Sequence, residues 1–168
     1  MLARVRVAYE KLLEAIAFVL MVALAVIVPI GVAFRWAGSS LVWYDEVAAI
    51  LLAWITFYGA ALAALRGAHI GVPGLVDALP RPLRIAATLF SEACVIGFFA
   101  LMAWVGVTVL DVLATDFLVS IPEVSVKYTQ SVIPIGAALF VISELLRLPE
   151  LLRAAAGGPA ARHTEVNP

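Results

Sequence analysis

The sequence has one cysteine and two histidines, and this scarcity excludes several kinds of site. Cys94 alone forms neither a disulfide within the chain nor a Cys-x-x-Cys redox or zinc motif. His69 and His163 are too few to supply the paired axial ligands of a multi-haem membrane cytochrome. We therefore predict that the chain is not an enzyme and has no catalytic residue, metal site or cofactor of its own.

Charged residues are also few. They make up 14% of the 168 residues, against about 25% in an ordinary soluble domain. There is no basic stripe with interleaved aromatic residues, so nucleic acid is excluded as a partner. Hydrophobic residues reach 64% and the mean hydropathy is +1.08, which is more apolar surface than a soluble fold of this size can bury. The composition therefore predicts a membrane protein.

Four long apolar segments predict four transmembrane helices, at about residues 15–34, 47–65, 88–111 and 128–146. The second segment has 19 residues and none of them is charged. A helix of 19 residues rises about 28 Å, close to the hydrocarbon thickness of a bilayer. We predict an all-α integral membrane protein with a single four-helix domain over residues 1–150. Residues 151–168 are predicted to be a polar, disordered tail.

Residues 1–14 leave two interpretations open, a short helix lying in the headgroup region or a plain charged leader. A cleaved signal peptide competes for the first span, because Gly31-Val32-Ala33 resembles a small-x-small cleavage site. The apolar run is longer than that of a usual signal peptide, and acidic residues precede it. We therefore favour a retained first span.

Lys and Arg residues predict the orientation in the membrane. They gather in the amino-terminal segment, in the loop between the second and third spans, and in the tail, whereas the other two loops carry one each. This alternation predicts that both termini are cytoplasmic.

Two acids, Asp45 and Glu46, open the second span. The positive end of the helix dipole favours acids at this position, and Arg35 at the end of the first span is their expected partner within the chain. Ordinary capping and solvation at the headgroup level would explain the same residues. Trp36, Trp43 and Tyr44 are predicted to lie in the aromatic belt at the same boundary.

Glu92 lies inside the third span, about 12 Å beyond the nearest arginine along a helix. Because an unpaired charge in hydrocarbon is costly, we predict that Glu92 pairs with Arg66, with His69, or with a group of a partner protein. The alternative is that the third helix begins late and leaves Glu92 at the surface. We interpret His69 as a structural hydrogen-bond donor, because no second ligand stands near it in the sequence.

The second span also carries small residues at spacings of three and four. Such a stripe lets two helices approach closely in lipid, so it predicts a packing face; an alanine-rich composition without further meaning is the alternative. The residues of this stripe are Ala49, Ala53, Thr56, Ala60 and Ala64.

Several short motifs occur in a characteristic order. They are Trp43-Tyr44-Asp45-Glu46, Phe57-Tyr58-Gly59-Ala60, Arg66-Gly67-Ala68-His69-Ile70, and Tyr128 followed by Pro134-Ile135-Gly136. Over about residues 10–150 this order resembles the small membrane subunit of TRAP transporters, the DctQ-like family. The resemblance implies an ATP-independent importer of the bacterial inner membrane. In such transporters, a periplasmic binding protein delivers a carboxylate solute, and a large multi-span subunit holds the substrate and sodium sites.

The residues themselves agree with this resemblance in one respect. The chain has no pair of broken helices, no inverted repeat and no polar cluster at mid-membrane, which secondary transporters use to bind their substrates. We therefore expect a non-catalytic small permease subunit that acts as a fixed scaffold, in contact with the large subunit, the binding protein and membrane lipids. The alternatives are a small four-helix redox enzyme and a self-assembling channel or carrier.

Overall fold

The structure, a computed structural model, describes residues 2–68 and 79–157, with side chains from residue 4 onward. Its helices are α1 (Leu2–Trp36), α2 (Tyr44–Arg66), α3 (Arg81–Val112), the short α4 (Val126–Gln130) and α5 (Val132–Ala155). Four segments, formed by α1, α2, α3 with the turn that follows it, and α4 with α5, are long and apolar enough to cross a membrane. The predicted all-α fold with four spans is confirmed.

The helices are longer than the uncharged segments that predicted them. Helix α1 is continuous from Leu2 to Trp36 and includes Pro29. Within the described residues, no separate interfacial helix therefore precedes the first span. At the other end of the chain, α5 continues through Pro149 for six more residues. The predicted disordered tail lies largely outside the described residues, which end at Gly157.

Glycine and proline set two of the helix boundaries. Gly67 follows α2 with φ +67°, a left-handed conformation that glycine adopts without steric cost. Its N–H donates to Ala64 O at 3.1 Å, and the N–H of Ala68 donates to Ala63 O at 2.9 Å, so the last carbonyls of α2 are satisfied. Pro80 stands immediately before α3 in an extended conformation, which suits a helix start.

Helix α5 is central to the packing. It packs against both α2 and α3, and α1 packs against α2. The buried core combines residues of α1, α2 and α5, namely Leu13, Tyr58, Ala61, Ala64, Val132 and Phe140. Helix α3 buries no residue completely; it reaches this core through Phe99, whose ring stacks on Phe140 with 3.8 Å between centroids. Helix α3 is therefore an edge helix.

The start of α1 and the end of α5 lie at the same end of the helices, which we call the terminal end. It holds the starts of α1 and α3 and the ends of α2 and α5. Two contacts define it: Arg6 forms an ion pair with Glu150, and Arg84 Nε donates to Ala155 O at 2.8 Å. The opposite end, which we call the loop end, holds the α1–α2 connection and the loop between α3 and α4.

Candidate functional site

Arg35 joins α1 to α2 at the loop end. Its guanidinium donates to Tyr44 Oη and lies over the Tyr44 ring, 5.4 Å from the centroid. The expected pair with Asp45 is also present, with 3.4 Å between Arg35 Nη2 and Asp45 Oδ2. Both charged side chains are more than half exposed, so this pair contributes little stability. Tyr44 departs from the predicted belt position: it is 5% exposed, because its ring packs on α1 where Gly31 has no side chain.

Glu46 binds the loop between α3 and α4 rather than Arg35. Its carboxylate accepts hydrogen bonds from the backbone N–H groups of Val119 at 3.3 Å and Ser120 at 2.9 Å, and from Ser120 Oγ. The loop closes on itself through a bridge between Phe117 and Ser125. Glu46 therefore fixes this loop to the first turn of α2, a role that sequence reasoning missed because Ser120 is 74 residues away.

Arg66 joins α2 to α1 at the terminal end. Its Nε donates to Glu10 Oε1 at 2.8 Å, and its Nη2 donates to Glu14. The two acids are four residues apart, so they lie on the same side of α1 and share one guanidinium. Of the partners predicted for Glu92, Arg66 is therefore wrong, because it binds the two acids of the first helix; a group of a partner protein stays a prediction.

Glu92 instead faces Glu144 across the contact between α3 and α5. The two carboxyl groups are close enough for their charges to interact, and Arg147 Nη1 is 3.9 Å from Glu144 Oε2. Among the described side chains, one buried oxygen of each glutamate has no hydrogen-bond partner. Helix α3 begins well before Glu92, so the alternative of a late start is also wrong. His69 lies outside the described residues.

The stripe of small residues on α2 divides into two halves. Ala64 is buried and Ala60 is half-buried in the contacts of α2 with its neighbours. Ala49, Ala53 and Thr56 are exposed, and Thr56 Oγ1 donates to a carbonyl of its own helix. Among the described residues, only the half nearer the terminal end acts as a packing face.

Two tryptophans lie at the loop end. Trp36 ends α1 with 88% of its surface exposed, and Trp43 immediately precedes α2 with 38% exposed. These positions at helix ends suit the interfacial belt, where the indole has an apolar body and a polar N–H.

Two further aromatic residues carry contacts that the sequence analysis did not single out. Trp54 Nε1 donates to Thr129 O at 3.0 Å, and Tyr9 Oη donates to Leu139 O at 2.7 Å. Each hydrogen bond joins α5, or the short α4 just before it, to another helix. The available signal was the presence of a polar atom on an aromatic ring within an apolar helix, since such an atom requires a partner when buried.

No group of three or more His, Cys, Asp or Glu residues in the described ranges could hold a metal ion. A groove of about 180 Å³ lies between α3 and the start of α5. Its lining is apolar except for one amide side chain and consists of Met102, Val105, Gly106, Val109, Leu110, Leu113, Gln130 and Ile133. The polar contacts given above therefore join helices and loops of the chain to one another.

Four apolar helices with charges gathered at their ends define a multi-pass membrane protein. The family model described as the DctQ component of tripartite ATP-independent periplasmic transporters matches residues 24–154, more than three quarters of the sequence. The chain belongs to this family of transporter components, and the resemblance seen in the short motifs is confirmed. Comparison with curated proteins finds no match.

Proposed function

We propose that the chain is the non-catalytic small permease subunit of a sodium-coupled importer of carboxylate solutes. It acts as a fixed scaffold for a large subunit that moves the solute by an elevator-type mechanism. The contacts that the charged side chains make within the chain support this role. Arg35, Glu46 and Arg66 all hold one part of this chain to another, which suits a brace that keeps its shape.

The exposed surface supports a role in assembly. Helix α3 presents large apolar side chains along the face that turns away from α5. Four of them are Phe90 at 73%, Phe98 at 61%, Leu101 at 59% and Trp104 at 76%. Such a face suits lipid or the helices of a larger membrane subunit, and in lipid close packing of helices drives their association.

The proposed location is the bacterial inner membrane with both termini in the cytoplasm. The distribution of Lys and Arg supports this orientation, because these residues gather at the terminal end. The loop end then faces the periplasm, where the solute-binding protein delivers its cargo. The Glu46-bound loop would lie on that side.

Reconstitution tests the proposal. The chain is expressed together with the large subunit of its transporter and purified through a tag on this chain alone. We expect the large subunit to co-purify, and sodium-dependent uptake into liposomes to require both membrane subunits and the binding protein. Solute uptake by this chain alone, or its purification without the large subunit, would overturn the proposal.

A further inference from the structure

The first turns of α1 carry a basic surface that none of the contacts described above uses. Arg4, Val7, Ala8 and Lys11 line an open depression on this helix. Their spacing of three and four residues places them on one side of α1. We call these four residues the basic face.

The two cations of the basic face have no counter-charge in the part of the chain that the structure describes. Arg6, on another side of the helix, forms an ion pair with Glu150. The two acids of α1, Glu10 and Glu14, are both bound to Arg66. Arg4 and Lys11 form no ion pair among the described residues, and the four cations and three acids of this cluster leave a net charge of +1, with Arg4 and Lys11 unpaired.

Beyond Lys11, toward the middle of α1, the same side of the helix becomes apolar and stays exposed. Ala15, Phe18 and Val22 follow Lys11 at helical spacing, and Phe18 and Val22 are 63% and 45% exposed. The distance along the helix from Lys11 to Val22 is about 16 Å. This is close to half of the roughly 30 Å hydrocarbon layer, the depth that one acyl chain occupies.

We propose that this side of α1 binds an anionic phospholipid. The guanidinium of Arg4 and the ammonium of Lys11 hold the phosphate headgroup, and an acyl chain lies along Ala15, Phe18 and Val22. A guanidinium matches phosphate oxygens with two parallel hydrogen bonds, and an ammonium contributes a point charge. The direct passage from cations to an apolar stripe of acyl-chain length favours a lipid over an acidic segment of a protein.

Native mass spectrometry of the full chain, delipidated in detergent, tests this inference with phosphatidylglycerol and phosphatidylcholine as probes. We expect tighter binding of phosphatidylglycerol. Each cation near an anionic headgroup strengthens binding by about fivefold, so the R4Q/K11Q variant should bind phosphatidylglycerol roughly 25-fold more weakly. Its phosphatidylcholine binding should fall much less, because the choline cation already offsets the charge of that phosphate.

The matched control is the R81Q/R153Q variant. Arg81 and Arg153 are exposed at the same end of the helices and form no ion pair among the described residues, so this variant loses the same charge. It should keep its affinity for phosphatidylglycerol. Equal weakening in both double variants, or unchanged binding in R4Q/K11Q, would overturn the inference. Loss of phosphatidylglycerol binding in the complex with the large subunit would do the same, because protein would then cover the basic face.

Discussion

The ring of Phe57 on α2 lies directly over Gly136 on α5. A Cβ built at Gly136 would come within 2.6 Å of Phe57 Cβ and 2.7 Å of Phe57 Cδ1, closer than packed side-chain carbons approach. The two helices can therefore meet at this point only because α5 has no side chain there, which is the usual reason for glycine in contacts between membrane helices.

Replacing Gly136 by valine should separate α2 from α5. We expect the variant to lose roughly 1–3 kcal/mol of stability, the typical cost of extra volume in a packed interface. A thermal melt in detergent, followed by tryptophan fluorescence, measures the change. Gly97→Ala is the control, because nothing lies within 4 Å of a Cβ at Gly97. Similar melting temperatures for the two variants would contradict the close contact.

Replacing Glu46 by glutamine should loosen the loop between α3 and α4. The carboxylate accepts from two backbone N–H groups and one hydroxyl, and the neutral amide of glutamine is a weaker acceptor than an ionised carboxylate. We expect faster hydrogen exchange at the amides of Val119 and Ser120. Asp45→Asn is the matched control, since Asp45 is 71% exposed and contacts only Arg35 among the described residues. Unchanged exchange in the Glu46 variant would show that the loop keeps its conformation without the Glu46 carboxylate.

Arg66 is expected to contribute more to stability than other exposed arginines at the terminal end. Arg66→Gln leaves Glu10 and Glu14 without their shared cation, and we expect a loss of about 1 kcal/mol, because these partly exposed pairs are weakened by solvent. The melting temperature in detergent should fall, and α1 should become more accessible to protease. Arg81→Gln, which removes an exposed arginine without an ion pair in the described ranges, should melt like the unaltered protein.

Arg147 offsets the buried acid pair formed by Glu92 and Glu144. Arg147→Gln should destabilise the contact between α3 and α5 by roughly 2–4 kcal/mol, because it leaves two facing acids without a nearby cation. The double variant Arg147→Gln with Glu144→Gln should regain part of that loss. The Arg147 guanidinium also lies against Gly67, where a Cβ would come within 2.7 Å of Arg147 Nη2. The melting temperatures of the single and double variants separate the two roles: a double variant no more stable than the single one would show that Arg147 acts only through this contact with Gly67.

The number of spans could be predicted because each one includes a long run without charge. The ends of the helices could not be predicted in this way, because charged residues there are part of the helices and pair across them. Arg66 illustrates this, since its partners Glu10 and Glu14 lie in turns of α1 that looked like a separate segment.

Contacts close in sequence were predicted better than distant ones. The pair of Arg35 with Asp45 spans 10 residues and needs only the turn between two helices. The partners of Glu46 and Glu92 depend on which helices become neighbours, and local sequence does not carry that information. Gly31 is instructive: its small size resembled a cleavage signal, whereas in the fold it makes room for the ring of Tyr44.

The central place of α5 has a consequence for biogenesis. This helix is synthesised after α1, α2 and α3, yet both α2 and α3 pack against it. The α1–α2 hairpin can form as soon as the second helix leaves the ribosome, whereas α3 must wait in the bilayer as a solitary helix. Translation that stops before Val132 would therefore leave α3 unassembled and open to the proteases that clear orphaned membrane segments.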